Sequence, residues 1–129
     1  MGVTVTPTPT SRLLRNAALV FAGGTVGAGL RFTVTSLVPL DVVWTTLVIN
    51  LVGAFALGVL TAIALRRGTE QLRLLLGSGL LGGFTTYSSF AFDVSTLAAY
   101  GELTWIVVAM TSLFGGFVLS ALGWRLGGA

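Results

Sequence analysis

The chain has 129 residues, of which 54% are hydrophobic and 9% charged, with a mean hydropathy of +0.96; that is too apolar for an ordinary water-soluble domain. It contains no His and no Cys, which removes the usual zinc, haem and thiolate ligands, every disulfide and the commonest general base. All seven basic residues are Arg, and against four acids they leave a net charge of +3 and a pI near 10.7; on so apolar a chain they read as anchors at membrane surfaces, not as a nucleic-acid footprint.

Residues 1–11 alternate Val, Thr and Pro without a helical period and precede the first charges, the reverse of signal-peptide order. They are expected to form a disordered cytoplasmic tail ahead of a single transmembrane domain over residues 12–129. Apolar segments follow at 13–38, 42–65, 72–100 and 103–126, each at or above the roughly 20 residues that span hydrocarbon. The expected fold is therefore an all-α membrane protein of four transmembrane helices. Pro39-Leu40-Asp41, Arg66-Arg67-Gly68-Thr69-Glu70 and Gly101-Glu102 supply the short connections, and Trp44, Trp105 and Trp124 fall near segment ends as interfacial anchors should.

In the first segment Gly23 and Gly27 share one helical face, and Arg31 lies well inside the span. In the second, Thr46, Asn50, Ala54, Gly58 and Ala62 recur every fourth residue. Asn50 thus points at protein and not at lipid, as helix-to-helix glue or as a ligand group. Gly79 and Gly83 in the third segment and Ser112, Gly116 and Ser120 in the fourth complete a small-residue face on every helix. A thin bundle with so many close-packing faces is expected to associate, most simply as a dimer.

The third segment carries Gly77-Ser-Gly-Leu-Leu-Gly-Gly-Phe-Thr-Thr-Tyr-Ser-Ser-Phe90 in its middle. A helix breaking there, around residues 83–88 and near the bilayer midplane counting from Arg73, frees amides and carbonyls where lipid offers no water. Such a break survives only if protein or an ion pathway satisfies it. Thr85, Thr86, Ser88 and Ser89 offer hydroxyls, and Phe84, Tyr87 and Phe90 offer aromatic edges, all suited to a small anion. The freed carbonyls suit a hard cation such as sodium. These residues specify an ion pathway and leave the ion open. Asp93, farther along the third segment, reaches a depth similar to Arg31, so the two form either a structural ion pair or, through Arg31, an anion-attracting vestibule.

Gly23-Gly-Thr-Val-Gly-Ala-Gly-Leu-Arg31-Phe32, Thr46-Leu-Val-Ile-Asn50-Leu-Val-Gly53 and Gly82-Gly-Phe-Thr-Thr-Tyr-Ser-Ser-Phe90, with Asp93 beyond, resemble in order the signatures of the Fluc (CrcB) family of small fluoride channels. The resemblance implies an antiparallel, dual-topology dimer in the plasma membrane of a prokaryote, with two pores that export fluoride passively from the cytoplasm and protect against its toxicity. It further implies Asn50 as the pore amide, Tyr87 and Phe90 at the two positions of pore-lining phenylalanines, and Thr86, Ser88, Ser89 and Ser112 as a hydroxyl track. Gly82 and Thr85 are implied as carbonyl donors to a structural sodium ion at the dimer interface. The chain departs from the family in two places: Tyr87 replaces the usual Phe, and Val108 stands where a fourth-helix Tyr is expected.

If both termini and the second loop share one side, that side holds Arg12, Arg15, Arg66, Arg67, Arg73 and Arg125, with only Arg31 toward the other. This bias predicts a cytoplasmic amino terminus. It favours pairing with an oppositely oriented homologous subunit, the alternative being an antiparallel homodimer. Two other functions fit four small helices: a proton-coupled small multidrug transporter, which needs an embedded carboxylate that the first helix lacks, and a non-conducting scaffold, which leaves the break and Asn50 without purpose. With no base, nucleophile constellation or cofactor loop, an enzyme is not expected.

Overall fold

The computed structural model describes residues 9–129; residues 1–8, most of the expected tail, lie outside the described residues. Helix α1 (Thr10–Leu37) starts on Pro9, whose carbonyl accepts the N–H groups of Arg12 and Leu13 at 3.0 and 3.2 Å. Thr10 and Ser11, assigned to the tail on sequence, are therefore helical. Val38 turns extended, as a residue before proline does, and α1 stops there.

Helix α2 (Val42–Arg67) ends on Gly68 at φ 64°, a left-handed conformation that glycine adopts without a Cβ penalty. Helix α3 covers residues 70–84, and its stretch Arg73–Leu81 is wound wide, in π-helical turns, with the Gly82 N–H reaching back to the Gly77 carbonyl. Two non-helical residues, Thr85 and Thr86, separate α3 from α4 (Tyr87–Ala99). Gly101, at φ 71°, turns the chain into α5 (Thr104–Gly128), which contains a second wide stretch at Thr111–Gly115. There is no strand among the described residues. Three helices, α1, α2 and α5, are long and apolar enough to cross a membrane; the third apolar segment is two shorter helices.

The helices meet along two glycine seams. Gly23, Gly27 and Gly83 bring α1 and α3 so close that a methyl group on any of them would strike a backbone carbonyl, those of Leu75, Leu80 and Gly24 respectively. Gly58, Gly123 and Gly127 do the same for α2 and α5, against Ser120, Phe55 and Val59. Much of the small-residue faces is thus used in packing helix on helix inside the subunit. Large apolar side chains, among them Phe21, Phe32, Phe114 and Phe117, stay exposed on the outside, as they do on helices whose solvent is lipid.

The seams join because α2 also backs onto α3 and α4. Arg12 and Glu70 form an exposed ion pair at 2.7 Å, which ties the start of α1 to the start of α3. The ends of α2 and α5 meet around Arg66, Arg67 and Gly127 at the same end of the bundle.

Candidate functional site

The break is built by one ridge of α2. Thr46, Asn50 and Gly53, spaced four and three apart, face the third segment in succession: Thr46 meets Asp93, Asn50 meets Thr86, and Gly53 leaves room for the Thr85 methyl. A Cβ at residue 53 would collide with that methyl.

Asn50 closes the break. Its Nδ2 donates to the Thr86 carbonyl at 2.9 Å, and its Oδ1 accepts the Thr86 N–H at 2.8 Å. A carboxamide carries the donor and acceptor of a peptide group on one plane, so it replaces the helical acceptor that the Thr86 N–H loses and adds a donor to the Thr86 carbonyl at the cap of α4. Its other N–H is uncommitted among the described residues. Of the two readings of Asn50, the bonds to Thr86 are those of helix-to-helix glue.

Thr86 is buried and caps α4: its Oγ1 accepts the Ser89 N–H at 3.2 Å and donates to the Ser89 Oγ at 3.1 Å, with Ser88 Oγ at 3.3 Å. These bonds have a consequence for the carbonyls behind them. In an unbroken helix the Gly82 carbonyl would accept from Thr86 and the Thr85 carbonyl from Ser89. Here the Thr86 N–H goes to Asn50 and the Ser89 N–H to a hydroxyl. The two residues tied to sodium by resemblance are thus two whose carbonyls have lost their helical donors. The Thr85 hydroxyl is spent on the Leu81 carbonyl at 2.9 Å.

A cavity of about 380 Å³ opens at this place, between Asn50, Thr85 and Thr86 on one side and Tyr87, Phe90 and Ser112 on the other. Ser112, brought in by α5, buries its Oγ there with no hydrogen-bond partner. The Tyr87 and Phe90 rings lie 6.0 Å apart, centre to centre, at 46°. Phe90 is half-buried, whereas Tyr87 is 80% exposed and turned outward at the rim. Ser88 is exposed as well. Val108 is 2% exposed and fills core, one turn before Ser112.

Arg31 and Asp93 do not pair. The one ion pair among the described residues is that of Arg12 and Glu70. Asp93 is buried beside Thr46 of α2, with its Oδ2 unbonded. Arg31 sits on α1, which leans chiefly on α3 and not on α4. Similar depth was the ground for expecting a pair, but depth says nothing about which way each helix turns its side chain.

Sequence reasoning missed the reciprocal Asn50–Thr86 bonds, the Arg12–Glu70 pair and the wide turns of Arg73–Leu81. The first had a signal: an amide at the depth of a helix break is the side chain that best imitates the missing peptide partner.

The family model described as CrcB-like protein, Camphor Resistance (CrcB), matches residues 18–124. A fluoride-specific ion channel FluC from Mesorhizobium japonicum is 40% identical over 115 residues, covering 84% of this chain and 92% of the relative. One from Thermus thermophilus is 38% identical over 117 residues, covering 86% and 94%. A third, from Agrobacterium fabrum, is 36% identical over 118 residues, covering 81% and 94%.

Proposed function

The chain belongs to the CrcB family, and we infer that it is a fluoride-specific ion channel, a multi-pass membrane protein and not an enzyme. The observation that carries the reading at the level of residues is the cavity at the helix break, where the buried Ser112 hydroxyl has no partner and Asn50 keeps one N–H uncommitted.

Fluoride gives up tightly held water only where donors stand ready. The Ser112 O–H, the free Asn50 N–H and the exposed Ser88 hydroxyl are donors without full opposite charge, so they replace water without trapping the ion. The edges of Tyr87 and Phe90 add partial positive charge. Asn50 also keeps its own donor in place, since its two bonds to Thr86 fix the amide plane. Thr86 and Ser89 contribute mainly by holding one another and the start of α4. Arg31, half-buried without an acidic partner, serves as an anion-attracting group at the approach, and Asp93 as a buried anchor of α4 on Thr46.

The third apolar segment crosses the membrane as two helices in series, which makes four spans. The working unit is an antiparallel dimer. Tyr87 at the open rim is a surface that a second subunit covers. The carbonyls of Gly82 and Thr85 fit a structural sodium at that interface: they are hard oxygens without helical donors, and two from each subunit would begin a cation's shell. When bound, the ion supplies positive charge that holds the two breaks together. The arginine-rich end, and with it the amino terminus, faces the cytoplasm. That bias favours an oppositely oriented homologue as the second subunit over a homodimer.

Purified protein in liposomes loaded with fluoride or chloride, monitored by an anion electrode, tests the channel. Fluoride loss without chloride loss is expected. Equal loss of both ions contradicts a fluoride-specific pore. Mapping terminal accessibility on both membrane faces tests the pairing, and an even split of orientations removes the case for a heterodimer.

A further inference from the structure

The arginine distribution sets up a second site, remote from the break. Arg12, Arg15, Arg66, Arg67, Arg73 and Arg125 lie at the end of the bundle where α1 and α3 start and where α2 and α5 stop, and Glu70 is the one acid there, already paired to Arg12. Between the last turns of α2 and α5 is a cavity of about 390 Å³ lined by Ile63, Arg66, Arg67 and Gly127. Gly127 lets α5 approach the Val59 carbonyl of α2. Both guanidinium groups are exposed and neither forms an ion pair among the described residues.

We propose that Arg66 and Arg67 hold the phosphodiester headgroup of an anionic phospholipid in this cleft. Two planar guanidiniums match phosphate oxygens through paired N–H donors. Ile63 forms an apolar wall to the same cavity. A cleft that is cationic at one edge and apolar at the other fits an amphiphile better than a free anion. Its size takes a headgroup and leaves the acyl chains along the helices. Orientation alone asks for positive charge at this end; it does not ask for a cleft.

Trp124 is the one tryptophan at this end, a turn before Gly127 on α5, while Trp44 and Trp105 open α2 and α5 at the other. A W44F/W105F protein in phosphatidylcholine nanodiscs therefore reports on the cleft through Trp124 fluorescence. Phosphatidylglycerol with brominated chains is expected to quench at far lower mole fraction than brominated phosphatidylcholine. R66Q/R67Q should raise the fraction needed by roughly twenty-five-fold, about fivefold for each charge removed, with quenching by phosphatidylcholine unchanged as the check on folding. R31Q, at the far end, should leave the curve in place.

Equal quenching by the two lipids overturns the proposal, as does an unshifted R66Q/R67Q curve. Displacement of the lipid by millimolar inorganic phosphate also overturns it, in favour of a free-anion site. None of these readings depends on fluoride flux, so failure here and failure of the channel reading are distinguishable.

Discussion

Along the α1–α3 and α2–α5 seams, helices meet backbone to backbone at their glycines. At the break, the backbone gives up its own partners and borrows them from Asn50 and from the hydroxyl of Thr86. The seams exclude side chains; the break requires them. A dry environment permits both arrangements because each gives its backbone N–H groups partners within the protein. They differ in what is left over. A seam leaves no such groups, whereas the break leaves a free amide N–H, the carbonyls of Gly82 and Thr85 and a cavity, which is why the proposed ion pathway is placed at the break and not at a seam.

The largest expected effect comes from removing the borrowed partner. Asn50→Asp keeps an acceptor for the Thr86 N–H but loses the donor to its carbonyl and adds a negative charge to the path. A carboxylate in mid-span costs about 3 kcal/mol, so fluoride efflux from liposomes should fall about a hundredfold or more. Flux near that of the parent would dissociate Asn50 from permeation and leave it only as the staple of the break.

On the seam the loss should appear in stability. Gly27→Ala drives a methyl into the Leu80 carbonyl, with the Phe84 N and the rest of the Leu80 peptide close behind. Overpacking of this kind costs roughly 1–3 kcal/mol, to be read as a lowered denaturation midpoint in detergent. An unchanged midpoint would show that α1 and α3 can slide apart freely, and the contrast between seam and break would weaken.

A third variant separates the regions from the other direction. Ser112 buries a hydroxyl without a partner, so Ser112→Ala removes an unsatisfied polar group and should leave stability level or slightly raised. If that hydroxyl meets the ion, fluoride flux should nevertheless drop about tenfold, the equivalent of one hydrogen bond. A fall in stability with unchanged flux would make Ser112 a packing residue.

How much of this was legible beforehand follows from the same contrast. The break was visible because hydroxyls and paired glycines interrupt an apolar run, and Thr85 and Thr86 fall inside the interval expected for it. The glycine faces were visible too, since four-residue spacing is a property of one helix. What each face meets is a property of two helices, so spacing alone did not say that Gly23 meets α3 and Gly58 meets α5. Arg31 and Asp93 failed as a pair for that reason, and the Arg12–Glu70 bridge, 58 positions apart, was hidden by it. The wide turns of Arg73–Leu81 carry no residue pattern that distinguishes them from ordinary helix. Asn50 was legible as a residue that matters, but not as one whose amide would be spent on Thr86.

The smallest expected effect is the sharpest control on the seam. Gly29 lies two residues from Gly27 on the same helix, yet a Cβ built there meets nothing within 4 Å. Gly29→Ala therefore has no collision to set against the gain in helix preference, which is about 0.5–1 kcal/mol for alanine over glycine in a helix interior. The denaturation midpoint should rise slightly, with fluoride flux unchanged because residue 29 is exposed and absent from the cavity lining. Opposite signs at positions 27 and 29 would tie the seam to close approach and not to glycine content. A loss at Gly29 as large as that at Gly27 would instead mean that this outer face of α1 is covered in the working protein, as it would be if a second subunit packs there.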